Sequence, residues 1–325
     1  MLKKIQEEIL ITIIIPCFNG SPFLKDTLDS LNLEIHDDLE LILIDDASSD
    51  DTLSIMSSFK LKHAQKKIII LKNKKNIGLC RSRRKGIKYA SGEYCIQFDS
   101  DDLMYANTID ILKLKIKNKK YDFVFCEYSY ISQNYKFRKL KKKHHVGISY
   151  EYENFLDFNY PFFFNPVSIW RFIVKTSLVK KVYKNIKVFY DYGEDKVFIA
   201  TLYTMSSSFA YIPDQLIQYR KRRHSMTDIK KFSHKTLSEL INCERFVAQL
   251  WGGKNQYPAN IALYLSYKYL LLKLNRAKSN TDLKIEDAYN GFQILYRDFD
   301  FESTYTQMSK MFPKVNFRKK YIKLD

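Results

Sequence analysis

The sequence predicts an α/β fold, a doubly wound, mixed and mostly parallel sheet flanked by helices, with a helical appendage at its C-terminal end. Three observations predict it. Short, continuous β-branched segments alternate with amphipathic ones as far as about residue 120, the pattern of strands buried on both faces between covering helices. Acidic and polar residues follow those apolar segments directly, at the carboxyl ends of strands where such sheets bind ligands. Beyond about Lys230 the pattern changes to long amphipathic helices, Phe232 to Leu250 and Tyr257 to Arg276, then a weaker segment to Tyr296.

The first predicted strand is Leu10 to Ile15, ended by Pro16, which lacks the N–H a ladder needs. A helix follows from about Ser21 to Leu31, with Phe23, Leu24, Leu28 and Leu31 on one face. Strand two, Leu39 to Ile44, runs into Asp45-Asp46-Ala47-Ser48-Ser49-Asp50-Asp51-Thr52 and a helix to about Phe59. Strand three is Lys67 to Leu71, followed by Asn76-Ile77-Gly78 and a basic helix through Tyr89. Strand four, Cys95 to Phe98, enters Asp99-Ser100-Asp101-Asp102. From Tyr121 to Trp170 the pattern is irregular, with a strand at Phe123 to Phe125 and a charged loop from Lys136 to His145.

The chain has 325 residues, 46% of them hydrophobic, enough for a full core. Cys17, Cys80, Cys95, Cys126 and Cys243 form no CxxC pair, which reads as buried reduced thiols. Met1 to Ile15 is too short and too mixed for a signal peptide or membrane span, and the longest apolar stretch, Ile261 to Leu274, is broken by Lys268 and Lys273. A soluble, cytoplasmic protein is expected, with the inner face of the cell membrane as a second location. The net charge of +18 favours a polyanionic neighbour. No RRM, zinc-finger or helix-turn-helix signature is present, so no nucleic-acid partner is expected. Neither GxGxxG nor GxxxxGK[ST] occurs, which counts against a dinucleotide oxidoreductase and a P-loop NTPase.

Three carboxylates within the four positions from Asp99 to Asp102 repel one another and raise each other's pKa. Two readings fit them. A divalent cation among the oxygens would neutralise the cluster, and oxygen ligands suit Mg²⁺ or Mn²⁺. An acidic cap for the helix that begins near Tyr105 would use the same residues.

Taken together, IIIPCFN, LILIDDASSDDT, NKKNIGLCRSRRKGI, GEYCIQFDSDD, GEDKVF and YRKRRHSMT resemble, in that order, family 2 glycosyltransferases of the GT-A fold, inverting enzymes that use nucleotide sugars. The resemblance covers roughly residues 9 to 227. It implies a catalytic domain over residues 1–228, with a nucleotide-binding half at about 9–120 and an acceptor half at about 121–228, and a helical region at 229–325.

The resemblance also implies roles. Pro16, Phe18 and Asn19 would line the nucleotide pocket and Asp46 would meet the base, although strand ending, turning and loop solvation account for the same residues. Asn76, Gly78 and Arg83 match the family's N-x-G-x-x-x-A-R-N-x-G stretch, which Gly86 closes, and place Arg83 near the diphosphate. Arg84 stands where the family has Asn, either as an added phosphate contact or on a solvated face. Asp99, Ser100 and Asp101 form the DXD motif that holds ribose and metal, with Asp101 and Asp102 as the metal ligands. Glu194 and Asp195 would supply the catalytic base, Asp195 being the one assigned; an acidic helix start is the other reading of this pair. Arg222 occupies the family's usual His position, with His224 two residues later, and both can reach phosphate.

The expected reaction moves a sugar from a nucleotide sugar, a UDP-sugar favoured, to a hydroxyl of a glycan or lipid-linked acceptor, with Mn²⁺ or Mg²⁺ as cofactor. Synthesis of surface polysaccharide or lipooligosaccharide is the expected setting. The aromatic run Tyr160 to Phe164 fits either an acceptor floor or core, and the tail Lys314 to Lys323 fits an anionic membrane surface or a solvated terminus. A sugar nucleotidyltransferase and a non-catalytic basic binding protein are the competing readings.

Overall fold

The structure is a computed structural model that describes residues 10–32, 36–135, 150–152, 168–187, 189–222 and 234–252. The Lys136 to His145 loop, the Tyr160 to Phe164 run, His224, the Tyr257 to Arg276 helix and the basic tail lie outside these residues. The chain divides into two compact units. One comprises Met1–Phe158, Ser168–Phe189 and Leu202–Arg223; the other comprises Asn159–Val167, Tyr190–Thr201 and His224–Asp325.

In the first unit, β1 (Ile11–Cys17), β2 (Leu39–Asp45), β3 (Lys67–Lys72) and β4 (Tyr94–Gln97) form a parallel array in the order β3-β2-β1-β4. Helices α1 (Ser21–Ser30), α2 (Thr52–Lys62) and α3 (Leu79–Tyr89) connect them. The array is parallel because each return passes through a helix, and β1 and β2 are buried along their whole length, as a central strand covered on both faces must be. Helix α3 lies so close that a Cβ on Gly86 would fall 2.6 Å from Ile14 Cγ2 and 2.9 Å from Ile44 Cδ1. Only glycine fits that contact.

Pro16 does not end β1. It pairs in register with Ile44, and the strand continues to Cys17 opposite Asp45. Ile14 O accepts from Phe98 N on the β4 side, and alternation turns Pro16 to the same side, beyond the last β1–β4 pair at Ile14 and Gln97. Its missing N–H therefore costs no ladder bond.

Beyond β4 the sheet becomes mixed. The two-residue β5 (Leu103–Met104) is followed by α4 (Thr108–Asn118), β6 (Phe123–Ser132) and β7 (Tyr150–Tyr152). A short 3-10 turn then leads into β8 (Phe172–Lys175), α5 (Thr176–Asn185), α6 (Glu194–Met205) and β9 (Phe209–Lys221). The full order is β3-β2-β1-β4-β8-β6-β9-β5, with β7 on β9. β8 is antiparallel to β4 and β6, and β6 runs parallel to β9. The pairing of Leu103 with Gln218 and of Met104 with Ile217 carries the end of β9 back to the carboxylates that follow β4. All five cysteines are buried and none is in a disulfide.

Helix α7 (His234–Gly252) belongs to the second unit together with the start of α6. Among the described residues no helix is long and apolar enough to cross a membrane.

Candidate active site

At the carboxyl rim of the parallel array, the loops after β1 and β2 are stitched together. Asn19 N donates to Ser48 Oγ at 3.0 Å, and Asn19 Oδ1 accepts from Ser49 N at 2.9 Å. Gly20 N donates to Thr52 Oγ1 at 2.8 Å, and Ser21 N to Asp50 Oδ2 at 3.0 Å. Burial disfavours the charge on Asp50, but the hydrogen bonds from Thr52 and Ser21 outweigh it and hold its pKa below the usual value. Asn19 takes a φ of 50°, which turns the chain so that the Phe18 ring stands 52% exposed at the rim.

Asp46 is buried and anchors the third loop. Its carboxylate accepts from Asn73 Nδ2 at 2.7 Å, Ile77 N at 2.9 Å and Gly78 N at 2.9 Å. Asn76 is exposed beside it, and its Oδ1 also accepts from Gly78 N. Lys85 Nζ donates to Asn73 Oδ1 at 2.6 Å. The guanidiniums of Arg81 and Arg84 lie over the Phe189 ring, 5.5 and 4.8 Å from its centroid, a cation–π arrangement.

The carboxylates after β4 are held by arginines. Arg83, 1% exposed, points Nη2 at Asp99 Oδ1 at 2.6 Å. Ser100 O accepts from Thr27 Oγ1 at 2.9 Å, which ties this turn to α1. Arg220, also 1% exposed, donates from Nε to Asp101 O at 2.9 Å, from Nη1 to Tyr135 O at 2.8 Å and from Nη2 to Asp26 Oδ2 at 3.4 Å. Its backbone N–H donates to Asp102 Oδ1 at 2.8 Å. Arg222 Nε lies 2.5 Å from Asp101 Oδ2, a contact of charges whose N–H is not aimed along it, so no aligned hydrogen bond forms there. The Phe23 ring of α1 lies under both guanidiniums, 5.0 Å from that of Arg220 and 5.8 Å from that of Arg222.

Asp99, Asp101 and Asp102 each offer an oxygen, and these atoms lie within 4.8 Å of one another. Asp102 is fully buried, and its Oδ2 has no hydrogen-bond partner. Burial first, then the charges of Asp101 and Asp99, push its carboxyl well above the usual range, and the opposing pull of Arg220 does not cancel them. An oxygen-only cluster with an orphaned buried oxygen has the donor chemistry that would fit Mg²⁺ or Mn²⁺, with oxygens available from Asp99, Asp101 and Asp102.

Arg220 did not stand out in the sequence. Its signal was present in Tyr219-Arg220, an arginine on the strand leading into the basic segment, but nothing in the pattern shows that β5 pairs with β9. The same strand carries Tyr219, whose ring stacks on Trp170 at 5.4 Å and 6°. Tyr128 meets Trp170 edge-on at 5.0 Å, and Tyr130 beside it is 56% exposed.

In the second unit, Gly193 precedes α6 with Glu194 and Asp195 in its first turn. Gly193 has φ +82°, a conformation that favours glycine, and a Cβ there would fall a tight 3.0 Å from Cys243 Sγ. Gly193 O accepts from Lys196 N at 3.1 Å. Helix α7 holds this turn from behind. Glu239 Oε2 accepts from Asp191 N at 3.1 Å and Tyr192 N at 2.9 Å, and Cys243 Sγ donates to Tyr192 O at 3.3 Å. Helix α7 thus positions the acidic turn. Glu194 is buried and Asp195 half-buried.

A sheet whose parallel half ends in stitched loops, and whose fourth strand delivers a carboxylate cluster, is the architecture of GT-A glycosyltransferases. Solved structures share it. S. aureus TarS 1-349 matches with a TM-score of 0.63 at 17% identity over 95% of this chain and 93% of that one. The mannosyltransferase PcManGT from Pyrobaculum calidifontis, solved with GDP-Man and Mn²⁺, matches with a TM-score of 0.51 at 14% identity over 94% of this chain and 85% of that one. Residues 12–178 match the model of glycosyl transferase family 2, and the chain belongs to that family.

Among curated relatives, an uncharacterized glycosyltransferase of Rickettsia felis is 33% identical over 44% of this chain, and the match spans only 23% of that protein's length. The cholesterol galactosyltransferase of Borreliella burgdorferi is 27% identical over 75% of this chain and 69% of its own.

Proposed function

We propose that the protein transfers a sugar, with inversion, from a nucleoside diphosphate sugar, a UDP-sugar favoured, to a hydroxyl of a glycan or lipid-linked acceptor. The observation that carries this is the carboxylate trio at the end of β4, with an orphaned buried oxygen on Asp102 and arginines on its flanks. Such a site suits a ligand that combines a divalent cation with anionic oxygens. TarS solved with UDP-GlcNAc and PcManGT solved with GDP-Man and Mn²⁺ support the donor class.

In this reading Phe18 stacks against the nucleobase, and the loop that Asp46 and Asn76–Gly78 build around it completes the base pocket. Asp99 and Ser100 meet the ribose. Arg83 sets Asp99, and Arg222 with His224 faces the diphosphate. Asp101 and Asp102 hold Mn²⁺ or Mg²⁺, which when bound supplies Lewis-acid stabilisation of the departing diphosphate.

Asp195 takes the proton from the acceptor hydroxyl as that oxygen bonds to the anomeric carbon. The bond from that carbon to the diphosphate oxygen breaks, and its electron pair leaves with the nucleotide. Attack on the face opposite the leaving group inverts the anomeric centre without a covalent enzyme intermediate. The same reading makes residues 1–228 the catalytic domain and 229–325 a helical region with a basic, membrane-facing tail. It also places the protein in surface polysaccharide or lipooligosaccharide synthesis.

The test is binding and hydrolysis of UDP-, GDP-, CMP- and dTDP-sugars with and without Mn²⁺, on wild type, Asp101→Ala and Asp195→Asn. Metal-dependent release of one nucleotide should disappear in Asp101→Ala. Asp195→Asn should keep donor binding and lose transfer to an acceptor by about 10²–10⁴-fold, the usual share of a general base. If no nucleotide sugar binds and Asp101→Ala behaves as wild type, the reading is wrong.

A further inference from the structure

The two arginines that close on the carboxylates from β9 are built differently. Arg220 is fully enclosed and tied to two backbone carbonyls and to Asp26. Arg222, just past the end of the strand, keeps 36% of its side chain exposed, and its charge contact is with Asp101. The Phe23 ring lies 5.8 Å from its guanidinium carbon, an aromatic face over which a planar cation can slide. Arg220 is part of the fold, whereas Arg222 is half-exposed and is held at Asp101 by charge contact alone, with no aligned hydrogen bond at Nε.

Its resting place has a consequence. Arg222 Nε lies 2.5 Å from Asp101 Oδ2, against one of the three carboxylates whose oxygens converge within 4.8 Å. A guanidinium has no lone pair to offer a metal, and its charge repels a divalent ion. Arg222 in this position and a cation bound through Asp101 Oδ2 therefore exclude one another. A diphosphate offers Arg222 a better partner, because its oxygens match the planar fork of donors.

We infer that Arg222 is a resident counter-cation that shields Asp101 from free divalent metal and releases it when a nucleoside diphosphate arrives, so that metal and donor load as a coupled pair. The coupling is reciprocal, as linkage requires: the nucleotide raises affinity for the metal by the factor by which the metal raises affinity for the nucleotide. This rests on the reading of Asp99 to Asp102 as a metal–diphosphate site.

The experiment is Mn²⁺ titration followed by EPR, with and without UDP, on wild type, Arg222→Gln, Arg222→Lys and Asp101→Asn. In Arg222→Gln, affinity for Mn²⁺ alone should rise about tenfold, within the ordinary range of ligand coupling, and the gain produced by UDP should shrink towards one-fold. Arg222→Lys keeps the charge and should keep the weak binding of Mn²⁺ alone, which a merely structural role would not predict.

Unchanged or weaker binding of Mn²⁺ alone in Arg222→Gln, with a UDP gain equal to that of wild type, overturns the inference. Failure of the underlying metal reading looks different. In that case wild type binds no Mn²⁺ even with UDP, or Asp101→Asn binds it as wild type does.

Discussion

Two fully buried carboxylates stand at opposite ends of the parallel strands, and their surroundings are opposite in kind. Glu40, near the start of β2, accepts from Thr12 Oγ1 at 2.6 Å, from Ser91 N and Ser91 Oγ at 2.8 Å each, and from Lys67 Nζ at 2.8 Å. Burial works against its charge, yet the hydrogen bonds from Lys67, Ser91 and Thr12 win and hold its pKa below the usual value. Asp102, past the end of β4, has one oxygen on Arg220 N and the other on nothing, and its pKa is driven up. Burial alone therefore says little about a carboxylate's role. The count of donors separates a carboxylate whose charge is compensated from one whose charge is not.

The comparison can be broken most directly at Glu40. Glu40→Ala leaves the buried Thr12 hydroxyl without its acceptor and removes the partner of Ser91 and Lys67, and should cost about 3 kcal/mol in urea unfolding. A loss below about 1 kcal/mol would show that water replaces the carboxylate and that its donor set is incidental.

Asp102→Asn should behave in the opposite way. An amide replaces a charge that the site does not compensate, so stability should stay within about 1 kcal/mol of wild type or rise. Mn²⁺ affinity measured in the presence of UDP should fall at the same time. A stability loss equal to that of Glu40→Ala would erase the distinction.

Acid unfolding sharpens the contrast. Because the folded-state pKa of Glu40 lies below its unfolded value, its contribution is fully present above the unfolded pKa and is lost as pH falls through the folded one. Wild type should lose stability over that acidic window, and Glu40→Gln should flatten the loss in denaturant midpoints taken from pH 6 downwards. The smallest expected change is in Arg222→Gln, whose half-open ion pair should shift stability by about 0.5 kcal/mol or less.

The parallel half was readable because each strand is a continuous β-branched run and each return is a helix. The trio of Asp99, Asp101 and Asp102 and the loops at Asn19 and Asp46 follow those runs directly, so chain order alone carried them to one rim. The mixed half was not readable in this way. β5 is two residues long, too short to leave a periodic signal, and β8 enters between β4 and β6 from more than seventy positions beyond β4. Pro16 was misread because its cost depends on which side of β1 still has a neighbour.

What the sequence determined by itself was the alternation that makes a parallel sheet and the chemical identity of the groups at its carboxyl end, because both depend on residues close together in the chain. Only the tertiary structure decided how those groups are compensated. Arg220 reaches Asp102 from 118 positions along the chain, beside the β5–β9 pairing, and Glu239 and Cys243 reach the turn before Glu194 from a helix about fifty positions away. The charge state of a buried carboxylate depends on every donor within hydrogen-bonding distance, and distance in space is what a linear pattern does not contain.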